Sequence, residues 1–301
     1  MEPVTPVNLT AITDEFSPDI EVALDAMASV GLNGVELRTI SGRNIVDLPD
    51  DEVDRLCAAV DARGLKIVSI ASPLLKCVLP DAPALDRRVQ RDVFGSSYTF
   101  ADQPRLTDRV FALAKKTRAP VIRVFSYWRT TQPAECHDRI VQALRGLADR
   151  AREEGVAIGL ENEHSCNVAT GEESSRLLGS LEHPALGLIW DPANALIAGE
   201  VPYPDGYRQL PIHRIVHVHA KDCLVNERGA VWGPVGEMGV DWAAQIAALR
   251  RDRYPGWISL ETHWPGPHGD KLEASVIGAR MLQRLVSANE TGPQPKTEDL
   301  C

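Results

Sequence analysis

Residues 156–166, VAIGLENEHSC, open as an apolar run and close on two glutamates and a histidine. Side chains along a strand alternate between its two faces. Val156, Ile158 and Leu160 therefore share one face, and Ala157, Gly159 and Glu161 share the other. An apolar face suited to packing under helices, opposite a face of small residues ending in a carboxylate, is the pattern of a strand inside a closed barrel. Seven further β-rich runs surround it: residues 8–13, 33–38, 65–71, 120–126, 186–191, 215–220 and 257–261. Between them lie stretches of helical period, among them 19–30, 49–63, 105–117, 135–154 and 240–251, with a last one at 270–288. Gly31, Gly64 and Gly155 mark helix ends, where a left-handed residue turns the chain toward the next strand. Strands alternating with helices imply right-handed crossovers and a parallel sheet. Eight such units without a second cluster predict a single (β/α)8 TIM barrel over residues 1–288. The polar, proline-bearing stretch 289–301 is expected to be a disordered tail. No glycine-rich phosphate loop follows any strand, which weakens a nucleotide-binding reading.

The same alternation at the later strands carries the functional reading. In 186–191, Leu186, Leu188 and Trp190 are expected to point outward, and Gly187, Ile189 and Asp191 inward. In 215–220, Val216 and Val218 are expected outward, and His217 and His219 inward; in 257–261, Ser259 and Glu261 face inward. Strands 5 to 8 thus all end in an inward polar group, at the barrel mouth where such groups act. Three carboxylates and an imidazole converging there repel one another or titrate abnormally unless a cation neutralises them. The donor set suits one divalent metal ion: Mn2+, Mg2+ or Co2+ first, with Zn2+ also admissible.

The 301-residue chain is 44% hydrophobic and 25% charged, as expected of a globular protein with a sizeable core. Its formal net charge of -10 argues against nucleic acid or an anionic membrane as partner. No apolar run is long enough to span a bilayer, and the first residues lack the pattern of a signal peptide, so a cytoplasmic location is expected. Six scattered cysteines with no C-x-x-C pair are expected to be free thiols, with Cys166 either packed or lining a site. The longest irregular stretch, 72–104, is expected over the mouth as a lid or a source of substrate contacts.

GLNGVELR (31–38), IASPLLKC (70–77), IRVFSYWR (122–129), GLENEH (159–164), LIWDPAN (188–194), IVHVHAKD (215–222), VGEMGVDW (235–242) and ISLETHW (258–264) together resemble the xylose-isomerase-like barrels of the sugar phosphate isomerase/epimerase superfamily. The resemblance covers nearly the whole chain. It implies metal ligation by Glu161, Asp191, His219 and Glu261, with His219 preferred to His217 because it opens the H-x-K-D pattern. It also implies that Glu161 and Glu261 flank a sugar-like small molecule and exchange protons with it. Asn194 stands where ketose 3-epimerases tend to carry a histidine, and the extra histidine ligands of endonuclease IV are absent.

Candidate substrate contacts are Glu163, Asn194, Arg123, Lys76, Lys221, His263 and Glu36. Arg123 faces inward either to hold a substrate carboxylate or phosphate or to pair with Glu36, which shares an inward face with Arg38. Lys76 and Lys221 either reach substrate oxygens or lie on the surface. His164 and His263 follow ligand-bearing strands, and Trp128, Trp190, Trp232 and Trp264 are candidate apolar walls. The chemistry expected first is isomerisation or epimerisation by proton abstraction α to a carbonyl, through an enediolate. Elimination from the same intermediate, by a dehydratase or other lyase, is the second expectation. A sugar-binding barrel without catalysis is the alternative from another class. Related barrels form homodimers and homotetramers, and either is compatible with this chain.

Overall fold

The computed structural model describes residues 7–89 and 97–288. Eight parallel strands form its centre: β1 (Asn8–Ala11), β2 (Gly34–Leu37), β3 (Lys66–Leu74), β4 (Val121–Val124), β5 (Ala157–Glu161), β6 (Leu186–Trp190), β7 (Ile215–Ala220) and β8 (Trp257–Leu260). The hydrogen-bonded order runs β1-β8-β7-β6-β5-β4-β3-β2. The remaining seam, between β2 and β1, is joined by a parallel bridge from Ile12 to Glu36 and by Asn33 N–H donating to Leu9 C=O (3.4 Å). The result is the expected (β/α)8 barrel. A principal helix follows each strand: α1 (Ile20–Ser29), α2 (Asp50–Ala62), α3 (Gln103–Thr117), α4 (His137–Glu154), α5 (Gly171–Ser180), α6 (Pro192–Ile197), α7 (Trp242–Arg251) and α8 (Lys271–Ala288). Each long helix buries one stripe; in α4 it is Ile140, Leu144, Leu147, Ala148 and Ala151. Gly155 ends α4 at φ 72°, and Gly31 and Gly64 are also left-handed.

The lower half of the lumen is packed by shape. A Cβ on Gly159 would lie 2.6 Å from Ile189, and one on Gly187 would lie 2.3 Å from Val216. Both glycines face inward, so Val216 faces inward too, and its expected outward direction is corrected. The cause is a register shift: Leu188 pairs with Ile215 but Ile189 with His217, which leaves Val216 as an extra residue in β7. A similar shift opposite Glu36 admits Val68 beside Gly34 and Trp257.

Three boundaries differ from the sequence expectation. β1 stops at Ala11 and a one-turn helix, Thr13–Phe16, follows. β3 continues to Leu74, where it pairs with Val124, so the expected loop 72–104 begins as strand. Residues 222–233 form an antiparallel ribbon (Asp222–Asn226 with Gly229–Gly233) beside the mouth. Residues 90–96 of that expected loop and the expected tail 289–301 lie outside the described residues. Among the described residues, no helix is long and apolar enough to cross a membrane. The described cysteines Cys57, Cys77, Cys136, Cys166 and Cys223 are free thiols.

Candidate active site and metal centre

Asn162 joins the ends of β5 and β6. Its Oδ1 accepts from Asp191 N–H and its Nδ2 donates to Asp191 C=O, both at 2.8 Å. Asp191 also caps α6, with Asn194 N–H donating to Oδ1 (2.9 Å). The other oxygen, Oδ2, is thereby left to face the lumen. Glu261 N–H donates to Ala220 C=O (2.9 Å), fixing the end of β8 beside β7. These backbone ties bring together Glu161, Asp191, His219 and Glu261: all four are buried, and their ligand atoms lie within 4.8 Å of one another. His219 Nδ1 is 3.0 Å from Glu161 Oε1 and 3.7 Å from Glu261 Oε2.

A cation fits this group. Glu161 Oε2 and Asp191 Oδ2 are buried and accept no hydrogen bond among the described residues. They meet only nearby charges, Arg123 Nη1 at 3.2 Å and Lys221 Nζ at 2.8 Å. Three carboxylates and one imidazole nitrogen form a mixed oxygen–nitrogen donor set for a divalent ion. The electrostatics point the same way. Burial, reinforced by Glu161 and Glu261 and opposed by Lys221, pushes the Asp191 carboxyl up to about 6. Burial opposes ionisation of Glu261 as well, but Lys221, His263, His219 and Arg38 outweigh it and hold the carboxyl low. His219 is pushed above the usual histidine range, because Glu36 and Glu161 overcome the effect of burial.

A cavity of about 750 Å³ opens above the cluster, and its lining includes Glu261, Lys221, Glu163, His164, Lys76, Arg123, His263 and Trp232. Lys221 is buried and lies 2.8 Å from both Asp191 Oδ2 and Glu261 Oε2, so it is no surface lysine. Lys76 is buried as well: Nζ stands 3.7 Å from Glu163 Oε2 and 4.7 Å from the centre of the Phe125 ring. Glu163 Oε1 accepts from Ser165 Oγ (3.0 Å) and lies 2.9 Å from His164 Nδ1. That histidine nitrogen is also 3.0 Å from Asn194 Oδ1. Burial would raise Glu163, but Lys76 and His164 hold it well below the usual carboxylate range. Asn194 reaches back to Glu161 Oε1 at 3.4 Å.

Arg123 lines the cavity while its charge is engaged below it, and Glu36 lies elsewhere. Arg123 pairs with Glu161, not Glu36, and also donates to Ala71 C=O (3.1 Å) and Ser72 C=O (3.4 Å). It thereby braces Glu161 and the β3–β4 edge. Glu36 is not among the residues lining the cavity; it lies within the barrel, bonded to His217, His219 and Ser259. His263 stacks edge-on against Trp232, with ring centres 4.8 Å apart. Trp190 faces the helices and donates to Gln245 (3.0 Å), and Cys166 packs with Phe125 and Trp128. Strand alternation gives Arg38 an inward direction and no partner. It donates to Glu261 Oε1 (2.7 Å), to Asp14 (2.7 Å) and to Glu15 (2.5 Å). Glu15 is fully buried, and its local signal was the acidic pair in ITDEFS (12–17).

A family profile described as a xylose isomerase-like TIM barrel matches residues 24–285. An inosose dehydratase from Lacticaseibacillus casei is 26% identical over 165 residues, covering 50% of this chain and 55% of that protein. The chain thus spans about half the length of the curated relatives it matches. Among solved structures, the IOLI protein with a bound zinc atom aligns with a TM-score of 0.72 at 17% identity, covering 94% of this chain and 99% of that one. A xylose isomerase-like barrel from Mycobacterium smegmatis in complex with magnesium aligns at 0.69 and 15% identity, covering 96% and 99%.

Proposed function

Because this chain belongs to the xylose isomerase-like TIM barrel family, we propose that it is a divalent-metal-dependent dehydratase acting on a polyhydroxylated ketone of the inosose type. Glu161, Asp191, His219 and Glu261 would hold the ion, which supplies Lewis-acid polarisation of the substrate carbonyl when bound. Glu161 and Glu261, from β5 and β8, approach the site from different sides. One takes the proton from the carbon beside the carbonyl, and its electron pair enters the enediolate. Breaking the bond to a β-hydroxyl then requires an acid. Lys76 and His164, gathered round the ionised Glu163, supply the proton that leaves with the hydroxyl as water. Burial alone would lower His164, yet Glu163 and Asn194 outweigh it and raise its affinity for a proton.

That third proton-handling group on the cavity wall carries the preference for a lyase over the isomerase or epimerase expected first. Isomerisation needs only the two glutamates. The names of the curated relatives support the same order, and the cavity volume is within the range for a sugar-sized ligand. Convergence of four buried ligands counts against a barrel that only binds sugar. The test is incubation of Mn2+-loaded protein with an inosose, a ketose and a dehydroshikimate-like acid in D2O. Loss of one water from the substrate is the expected result, with deuterium entering the product at the carbon that carried the departing hydroxyl, as the enol ketonises, and entering the α-carbon of unreacted substrate by return from the enediolate. In the double variant Lys76→Met/His164→Gln, α-exchange should continue while water loss stops. Stereochemical inversion of a ketose without loss of water would replace the proposal with epimerisation.

A further inference from the structure

We infer that Glu36 is a positioning residue for the metal centre, holding His219 with Nε2 protonated and Nδ1 turned toward the ion. This rests on the metal-binding reading above. The carboxylate starts on β2 and crosses the lumen to meet three donors on β7 and β8. His219 Nε2 lies 3.1 Å and 3.3 Å from its two oxygens, His217 Nε2 lies 3.0 Å from Oε2, and Ser259 Oγ donates to Oε2 at 2.7 Å. Its capacity is thus spent inside the barrel, away from any substrate.

The geometry of His219 leaves one assignment. Nδ1 is the nitrogen that faces Glu161 and Glu261, so it is the one able to join their cluster. Nε2 then carries the proton and donates to Glu36. A carboxylate behind a metal-binding histidine fixes the ring and its tautomer and strengthens it as a donor. His217 fills a different role. It gives Nε2–H to the same carboxylate, and its Nδ1 has no hydrogen-bond partner among the described residues, so it serves to hold Glu36 in place.

Loss of such a supporting carboxylate typically costs about 10–100-fold in metal affinity. Manganese titration of the full chain, followed by the electron paramagnetic resonance of free Mn2+, should show a weakening of that size in Glu36→Gln at an unchanged melting temperature. Ser259→Ala, which removes one of three donors, should shift affinity far less. Wild-type Mn2+ affinity in a folded Glu36→Gln protein overturns the role. Should that variant not fold, nitrogen NMR of the histidine-labelled wild type loaded with 113Cd2+ decides: coupling of the metal to His219 Nδ1 with Nε2 protonated is expected, and coupling to Nε2 overturns it. A wild-type chain that binds no divalent ion would remove the metal-binding reading itself, whereas failure of the Glu36 arm alone leaves that reading standing.

Discussion

The lower lumen and the mouth of this barrel are built from the same strands and held by different forces. Below, Gly34, Gly159 and Gly187 leave room for Val68, Trp257, Ile189 and Val216, and the fit is steric. Above, Glu161, Asp191 and Glu261 are balanced by Arg123, Lys221 and Arg38 at 2.7–3.2 Å. Volume is critical below and charge is critical above. Substitutions in the two regions should therefore fail in different assays.

The largest effect is expected at Asp191. Asp191→Ala removes a proposed ligand outright, so its loss of Mn2+ affinity should exceed the ~100-fold that loss of a supporting group can cause. The barrel should remain folded by circular dichroism, because packing under the helices does not use that side chain. Unfolding of this variant would make the mouth a structural region like the floor and erase the contrast. Next come Glu161→Gln and Glu261→Gln, which keep shape but remove the carboxylate proposed to move the proton. Each should lower turnover by about 10²–10⁴-fold at saturating metal. Near wild-type rates in both, fully loaded, would remove proton transfer by these residues.

The mouth should also respond to pH. Burial, together with Glu161 and Glu261, holds Asp191 up to about 6, and His219 is protonated above its usual range. Metal binding must displace these protons. Affinity should therefore fall as pH drops, by up to about tenfold per unit while His219 alone competes and up to about a hundredfold per unit below pH 6, where Asp191 joins it. Calorimetric titration across pH 5–8 checks the steepening, and a constant slope would show that Asp191 does not take up its proton near pH 6. The smallest effect is expected on the floor. In Gly187→Ala, the new Cβ would lie 2.3 Å from Val216 and 2.7 Å from Arg214 C=O. Overpacking of this kind costs about 1–3 kcal/mol, to be read by urea denaturation, with metal affinity unchanged. A metal-affinity loss there would show the two regions to be coupled.

Much of the mouth was legible in the chain. Glu161, Asp191, His219 and Glu261 each lie within one residue of a strand's C-terminal end, and alternation along each strand assigns the inward face without knowledge of its neighbours. Glu36 shows where that reasoning stops. Its inward direction was read correctly, yet its separation from the cavity depends on His217, His219 and Ser259 reaching it across the lumen. Arg123 was likewise placed inward, and its choice of Glu161 over Glu36 depends on which carboxylate the closed barrel brings within 3.2 Å.

The strand–helix alternation, the glycine stops and the polar strand ends follow from covalent geometry and local conformational preference, so the order of residues carries them. Val216 escaped that logic because the register shift with β6 is a property of two strands together. The bond from Arg38 to Glu261 joins residues 223 positions apart, and Glu15 becomes a buried member of the same network only once β1, β2 and β8 meet. Hydrogen bonds and ion pairs act through space over a few ångströms, and closure of the barrel sets which groups come that near.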